Sequence, residues 1–203
     1  MDVKEKNSKI SKTPKKYKPT IMVSSSVYGF QNELSQICAL LKKMGYEVWN
    51  SHIGTIKVDS AYSNMENCIR VAEECDLFLG IIRTNCGTGN IGGKNITFEE
   101  MKTAVAMKKP YWFLAHHDVV FARQLLKKIE GIKDPSSVIS KDKKYFDPLC
   151  VKMYNYAVKD EDGERRTGNW VQEFYGFDEI ATFLRRQFKD KASIVEQLNK
   201  KDQ

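Results

Sequence analysis

The chain has 203 residues, 41% of them hydrophobic and 11% aromatic, and a formal net charge of +7. These proportions fit one ordinary globular domain with additions and exclude a fibrous or wholly disordered chain. No run approaches the roughly 18 apolar residues of a membrane span, and the N-terminus lacks the apolar segment of a signal peptide, so the expectation is a cytoplasmic protein with no membrane partner.

The charge is unevenly placed. Residues 1–18 hold seven lysines against Asp2 and Glu5. That stretch reads as a disordered, solubilising basic tail. The rest of the chain shows no Lys/Arg stripe, which disfavours nucleic acid as a partner. The five cysteines are Cys38, Cys68, Cys75, Cys86 and Cys150. Their number is odd and none are in CxxC spacing, so neither a disulfide framework nor a zinc site is expected. Cys38, Cys68 and Cys75 sit in apolar patterns as small core residues.

Thr20 to Ser24 is an apolar run and reads as the first strand. Ser24-Ser25-Ser26-Val27-Tyr28-Gly29 follows as a polar turn. Phe30, Leu34, Ile37, Leu41 and Met44 then recur at helical spacing, and Gly45 stops that helix. Tyr46 to Trp49 reads as a second strand, and 50–62 as irregular. Ser63 with Glu66 three residues on is a capping box, opening a helix whose apolar side is Cys68, Val71, Ala72 and Cys75. Residues 76–82 are continuously apolar, as in a strand buried on both faces.

A glycine- and asparagine-rich loop, 83–95, leaves that strand. Thr97 is the expected cap of the next helix, with Glu100 at its third position. Lys109-Pro110 ends the passage, because proline cannot continue a helix. A strand over 110–115 and a helix over 118–129 follow. Residues 131–148 read as a linker or long surface loop. Val151, Met153, Tyr154 and Ala157 suggest a further helix. Residues 169–174 read as a short aromatic strand or docking segment, in which Trp170 and Phe174 pack the C-terminal part on the sheet. Phe177 to Phe188 is amphipathic and helical, and 190–203 reads as frayed.

Strands alternating with helices predict a parallel sheet covered on both faces. Loops that leave the C-terminal ends of such strands are where ligands bind. The candidate substrate-binding residues are therefore Ser24, Ser25, Ser26, Tyr28, Arg83, Asn85, Asn95 and His116. Each has a plainer reading as well: serines as caps, Tyr28 as packing, Arg83 as a surface ion pair, and His116-His117-Asp118 as a helix start. The glycines 87, 89, 92 and 93 permit close backbone approach but do not match a dinucleotide fingerprint. Glu100 has two readings. It can steady a cationic sugar carbon, or it can cap its own helix through Thr97-x-x-Glu100.

Several stretches carry a resemblance in combination: Ile21-Met22-Val23-Ser24-Ser25-Ser26 before an Asn32-Glu33 helix, the Glu74-to-Ile82 strand, and Ile96-Thr97-Phe98-Glu99-Glu100 with Lys109-Pro110. Over about residues 20–130 the chain resembles a bacterial domain of unknown function often found at the N-terminus of defence and signalling proteins. That domain is similar in fold to TIR domains and nucleoside 2-deoxyribosyltransferases. The transferases carry a glutamate four residues before an alanine and ten before a proline; Glu100, Ala104 and Pro110 hold that spacing. The resemblance implies that Glu100 is catalytic, as the nucleophile on C1′ or as support for cleaving a nicotinamide–ribose bond. The chain departs from the transferases in having no aspartate over 83–95, where they hold ribose hydroxyls; Asn85, Asn90 and Asn95 stand there instead.

The expected fold is a flavodoxin-like or TIR-like three-layer α/β sandwich with a parallel central sheet and an α-rich C-terminal extension. Its expected divisions are a basic tail (1–18), the TIR-like or deoxyribosyltransferase-like domain (19–130), the extension packed on it (131–189) and a frayed end (190–203). The expected function is hydrolysis of a base–ribose bond in a nucleotide or NAD, with no cofactor or metal, in bacterial defence or signalling. The alternative is a non-catalytic nucleotide-sensing or protein-interaction module, with TIR-like assembly into a homo-oligomer as its partner class.

Overall fold

The computed structural model describes residues 17–87, 90–134, 138, 142–143, 145–159, 163–167 and 170–201. Most of the basic tail, up to residue 16, and parts of the 131–148 and 160–166 segments lie outside the described residues.

Five strands form one sheet: β1 (Thr20–Ser25), β2 (Glu47–Trp49), β3 (Leu77–Ile82), β6 (Tyr111–His116) and β7 (Val171–Phe174). Their order is β2-β1-β3-β6-β7, and every pairing is parallel. The helices α1 (Gln31–Lys43), α2 (Asn64–Glu74), α3 (Ile96–Ala106), α4 (His117–Lys128), α5 (Leu149–Val158), α6 (Phe177–Phe188) and α7 (Lys191–Lys201) cover both faces. The result is a flavodoxin-like three-layer α/β fold.

The strand period of two divides the core. Ile21, Val23, Leu79, Ile81 and Leu114 point one way, against Leu34, Ile37 and Leu41 of α1, the apolar face of α6 and Ile194 of α7. Met22, Phe78, Ile82, Phe113 and Ala115 point the other way, against α2, α3, α4 and α5. All six residues of β3 are buried, as its unbroken apolar run requires. Gly80 lies at its centre because Phe113 lies over it. A Cβ there would sit 2.7 Å from the Phe113 ring.

Local signals act where the chain places them. Gly45 has φ of 97°. Gly45 N–H donates to Lys42 and Tyr46 N–H to Leu41, closing the end of α1. Ser63 and Glu66 form the capping box of α2. Asp76 accepts from both the backbone N–H and the hydroxyl of Thr20, at 2.7 and 2.9 Å, and aligns the starts of β1 and β3.

Four local expectations change. Asn95, not Thr97, caps α3 through Phe98 N–H at 3.0 Å. Its amide is closer to the helix start because residues 90–91 and 94–95 form a small hairpin, β4–β5, inside the loop. The helix expected over 118–129 begins at His117 and is capped by His116. Trp170 is 71% exposed, so Phe174 and the partly buried Val171, not Trp170, pack that segment on the core. Residues 191–201 are helical rather than frayed, because Ile194 is buried in the core that α1 and α6 also line and Leu198 packs against it.

Candidate active site

In a parallel sheet every strand delivers its C-terminal loop to the same edge. The chain runs from β1 outward to β2, then crosses back past β1 to β3. The loops after β1 and β3 therefore part, and a crevice opens between them. A cavity of about 510 Å³ occupies that place. Its walls come from the end of β1 and the 24–28 turn, the 51–58 segment after β2, the start of α2, Cys86-Gly87, and the first turns of α3.

Glu100 is in the second turn of α3, at the cavity floor, and is 6% exposed. Because the cap is Asn95, Glu100 stands five residues beyond it and cannot close a capping box with Thr97. Its carboxylate instead accepts a short hydrogen bond from the Ser24 hydroxyl at the end of β1 and another from the Cys68 thiol on α2. Burial pushes Glu100 up from its ordinary 4.5 to about 7, and these two donors hold it from going higher. Cys68 is pushed up to about 12, by burial first and by the facing carboxylate second. The thiol is therefore a donor and not a nucleophile near neutral pH.

The other sequence candidates divide into two groups. Ser24, Ser25, Ser26, Tyr28 and Asn95 line the cavity with Glu100. Ser25 Oγ donates to the Ser26 carbonyl at 3.1 Å, and Ser26 Oγ donates to the Asn85 carbonyl at 2.5 Å. Asn95 Nδ2 donates to the Cys86 carbonyl at 2.8 Å, so this side chain ties the loop to the helix it caps. Tyr28 is 69% exposed at the rim.

Arg83, Asn85 and His116 are not lining residues. The Arg83 guanidinium donates to the carbonyls of Ser26, Tyr28 and Gly29 and lies 4.5 Å from the Phe30 ring centroid. It holds the 26–29 turn in shape. Asn85 accepts from Gly87 N–H at 2.7 Å and shapes its own loop. His116 caps α4 and packs edge-on against Phe174, two strands from the crevice.

Sequence reasoning missed Cys68, Thr97, Ile56 and Val58, all of which line the cavity. The available signal was topological. Once β2 is a parallel strand, residues 50–62 and the start of α2 must leave at the same edge as the serine turn. Asn67, also in the wall, uses its amide to bind the carbonyls of Asp59, Tyr62 and Ser63 and supports that wall. Among the described residues, no group of three or more His, Cys, Asp or Glu side chains is placed to hold a metal ion, and no helix is long and apolar enough to cross a membrane.

No curated protein sequence matches the chain. Among solved structures it is similar to the CMP N-glycosidase BcmB of Clostridium botulinum. The identity is 17% and the TM-score 0.34, over 68% of this chain and 98% of that one. A likeness that distant carries no argument about chemistry. The family model described as "Domain of unknown function (DUF4062)" matches residues 20–200. That span runs from β1 into α7 and takes in the whole sheet, so the chain is a member of the DUF4062 family.

Proposed function

We propose that the chain is an N-glycosidase-type hydrolase that cleaves the base–sugar bond of a nucleoside or nucleotide, NAD among them. The observation that carries this reading is Glu100, a buried carboxylate at the floor of a crevice where the strand order of a parallel sheet reverses. Its spacing to Ala104 and Pro110, shared with the nucleoside 2-deoxyribosyltransferases, supports it. The resemblance to TIR domains supports a place in bacterial defence or signalling, with assembly of like chains, as part of the same proposal.

The chemistry needs few groups. As the C1′–N bond breaks, its electron pair leaves with the base nitrogen, which takes up a proton in a nucleoside or nucleotide and in NAD simply loses its positive charge. C1′ becomes cationic. An ionised Glu100 stabilises that cation or bonds to C1′. Water then adds its oxygen to C1′ and releases a proton, so the sum is glycoside plus water to free sugar and free base. Ser24 and Cys68 position the carboxylate by donating to it.

Glu100 acts here as the carboxylate, and burial raises it to about 7. Base release should therefore rise with pH through about 7 and level off above it. Glu100→Gln keeps the size and removes the charge. Free base measured by liquid chromatography should fall by at least about 100-fold in this variant, with the fold preserved by circular dichroism. Full base release by Glu100→Gln would overturn the role of Glu100. Absence of base release by the wild type from nucleosides, nucleotides and NAD, dilute or concentrated, would favour a nucleotide-binding module.

A further inference from the structure

The cavity lining has an uneven chemistry. Among the described residues it contains one carboxylate, Glu100, and no Lys, Arg or His. Two basic residues flank the loop beside it, and neither serves the cavity. Arg83 is committed to three backbone carbonyls, and Lys94 is exposed on the β4–β5 hairpin and is not in the lining. The loop residues Thr88, Gly89, Asn90 and Ile91 add no cation in sequence.

The hydroxyl donors of the serine turn are also committed. Ser24 donates to Glu100, Ser25 to the Ser26 carbonyl and Ser26 to the Asn85 carbonyl. A phosphate only accepts hydrogen bonds, and all three of these hydroxyls already donate elsewhere. Thr97, Ser51 and Asn64 line the same space with neutral side chains that make no hydrogen bond among the described residues. Neutral groups that both donate and accept suit sugar hydroxyls and base edges. At the rim stand Tyr28, 69% exposed, and Val58, 67% exposed, with the partly buried Ile56 below. An aromatic and aliphatic rim suits the faces of a base.

We propose that this site takes an uncharged nucleoside and discriminates against the 5′-phosphorylated and dinucleotide forms of the same base–sugar unit. The inference rests on the N-glycosidase reading for its chemistry and narrows that reading's substrate. The base lies at the Tyr28–Val58 rim, and C1′ lies toward Glu100. A phosphate brought into the crevice is stripped of water without a cation to replace it. It also meets the like charge of Glu100.

The test uses the full chain and matched pairs, adenosine with AMP and cytidine with CMP, together with NAD. Base release should show kcat/KM for each nucleoside at least roughly tenfold above its monophosphate, the size expected of one like charge a few ångströms away at a partly screened site. Base release from monophosphates or NAD at equal or higher kcat/KM would overturn the inference and leave the glycosidase reading standing. If nothing is cleaved, that reading fails, and calorimetric Kd values on the same panel decide the ligand class. Tighter nucleoside binding supports the inference. Equal or tighter monophosphate binding, or no binding of either, overturns it. In Glu100→Gln the monophosphate-to-nucleoside ratio of Kd should shrink several-fold. An unchanged ratio would overturn the part assigned to Glu100.

Discussion

At the scale of single residues, Glu100 is where stability and the proposed chemistry oppose each other. A carboxyl raised by burial from 4.5 to about 7 is held protonated by the folded state more tightly than by the unfolded chain. The unfolded chain therefore loses this proton first as pH rises. Between about 4.5 and 7 the folded state binds more protons, and stability falls with rising pH. The groups that face this carboxyl are Ser24 from β1 and Cys68 from α2; both donate, and neither carries a charge near neutral pH. The full loss from this residue is on the order of 3 kcal/mol. Urea titrations should therefore give similar stabilities for wild type and Glu100→Gln near pH 4.5. By pH 8 the variant should be more stable by up to a few kcal/mol. Parallel stability curves across that range would show that Glu100 is not shifted. A buried carboxylate that lowers stability above pH 7 supports the proposed role of Glu100.

At the scale of elements, Arg83 shows how a charge at a ligand edge becomes scaffold. It leaves β3 beside the crevice, which is why the sequence marks it as a substrate-binding candidate. Its fork instead gathers three carbonyls of the turn after β1. Those carbonyls point inward because Gly29 has φ of 70° and turns the chain into α1. Arg83→Met keeps the apolar stem over Phe30 and removes the donors. It should lower stability by about 2 kcal/mol, which is roughly 5 °C in Tm for a chain of this size. An unchanged Tm would mean that water satisfies the turn equally well. The helix α3 shows the opposite case. Moving its cap from Thr97 to Asn95 shifts Glu100 out of the first turn, and that shift turns its side chain from its own backbone to the cavity.

At the scale of the whole molecule, the sheet and both helical layers depend on the C-terminal third. β7 pairs in parallel with β6, Phe113 opposite Val171 and His116 opposite Phe174. The helix α6 buries Ile180, Phe183, Leu184 and Phe188 in the same core as α1. The helix α7 closes that layer with Ile194. Ending the chain after residue 189 should cost roughly 2–4 kcal/mol, the transfer of one isoleucine and part of a leucine from core to water. Chemical denaturation should also show a smaller m-value. Equal stability with and without residues 190–203 would place α7 outside the cooperative unit.

The order of elements, the parallel sheet and the three layers were legible in the sequence because they follow from periodicity. The apolar run 77–82 admits little but a central strand, and Phe30, Leu34, Ile37 and Leu41 admit little but a buried helical face. The place of Glu100 at the sheet edge was legible for the same reason: a loop after a parallel strand has one edge to leave by. Four things were decided only by tertiary structure. Cys68 meets Glu100 because α2 and α3 pack side by side across β1, a pairing that no spacing along the chain encodes. Arg83 turns from ligand to scaffold because three carbonyls converge on it from a turn 54 or more residues away. Residues 191–201 become a helix because Ile194 and Leu198 pack into the core that α1 and α6 also line. The absence of a cation from the described cavity wall depends on where each basic side chain finds its partner, and local sequence does not record that.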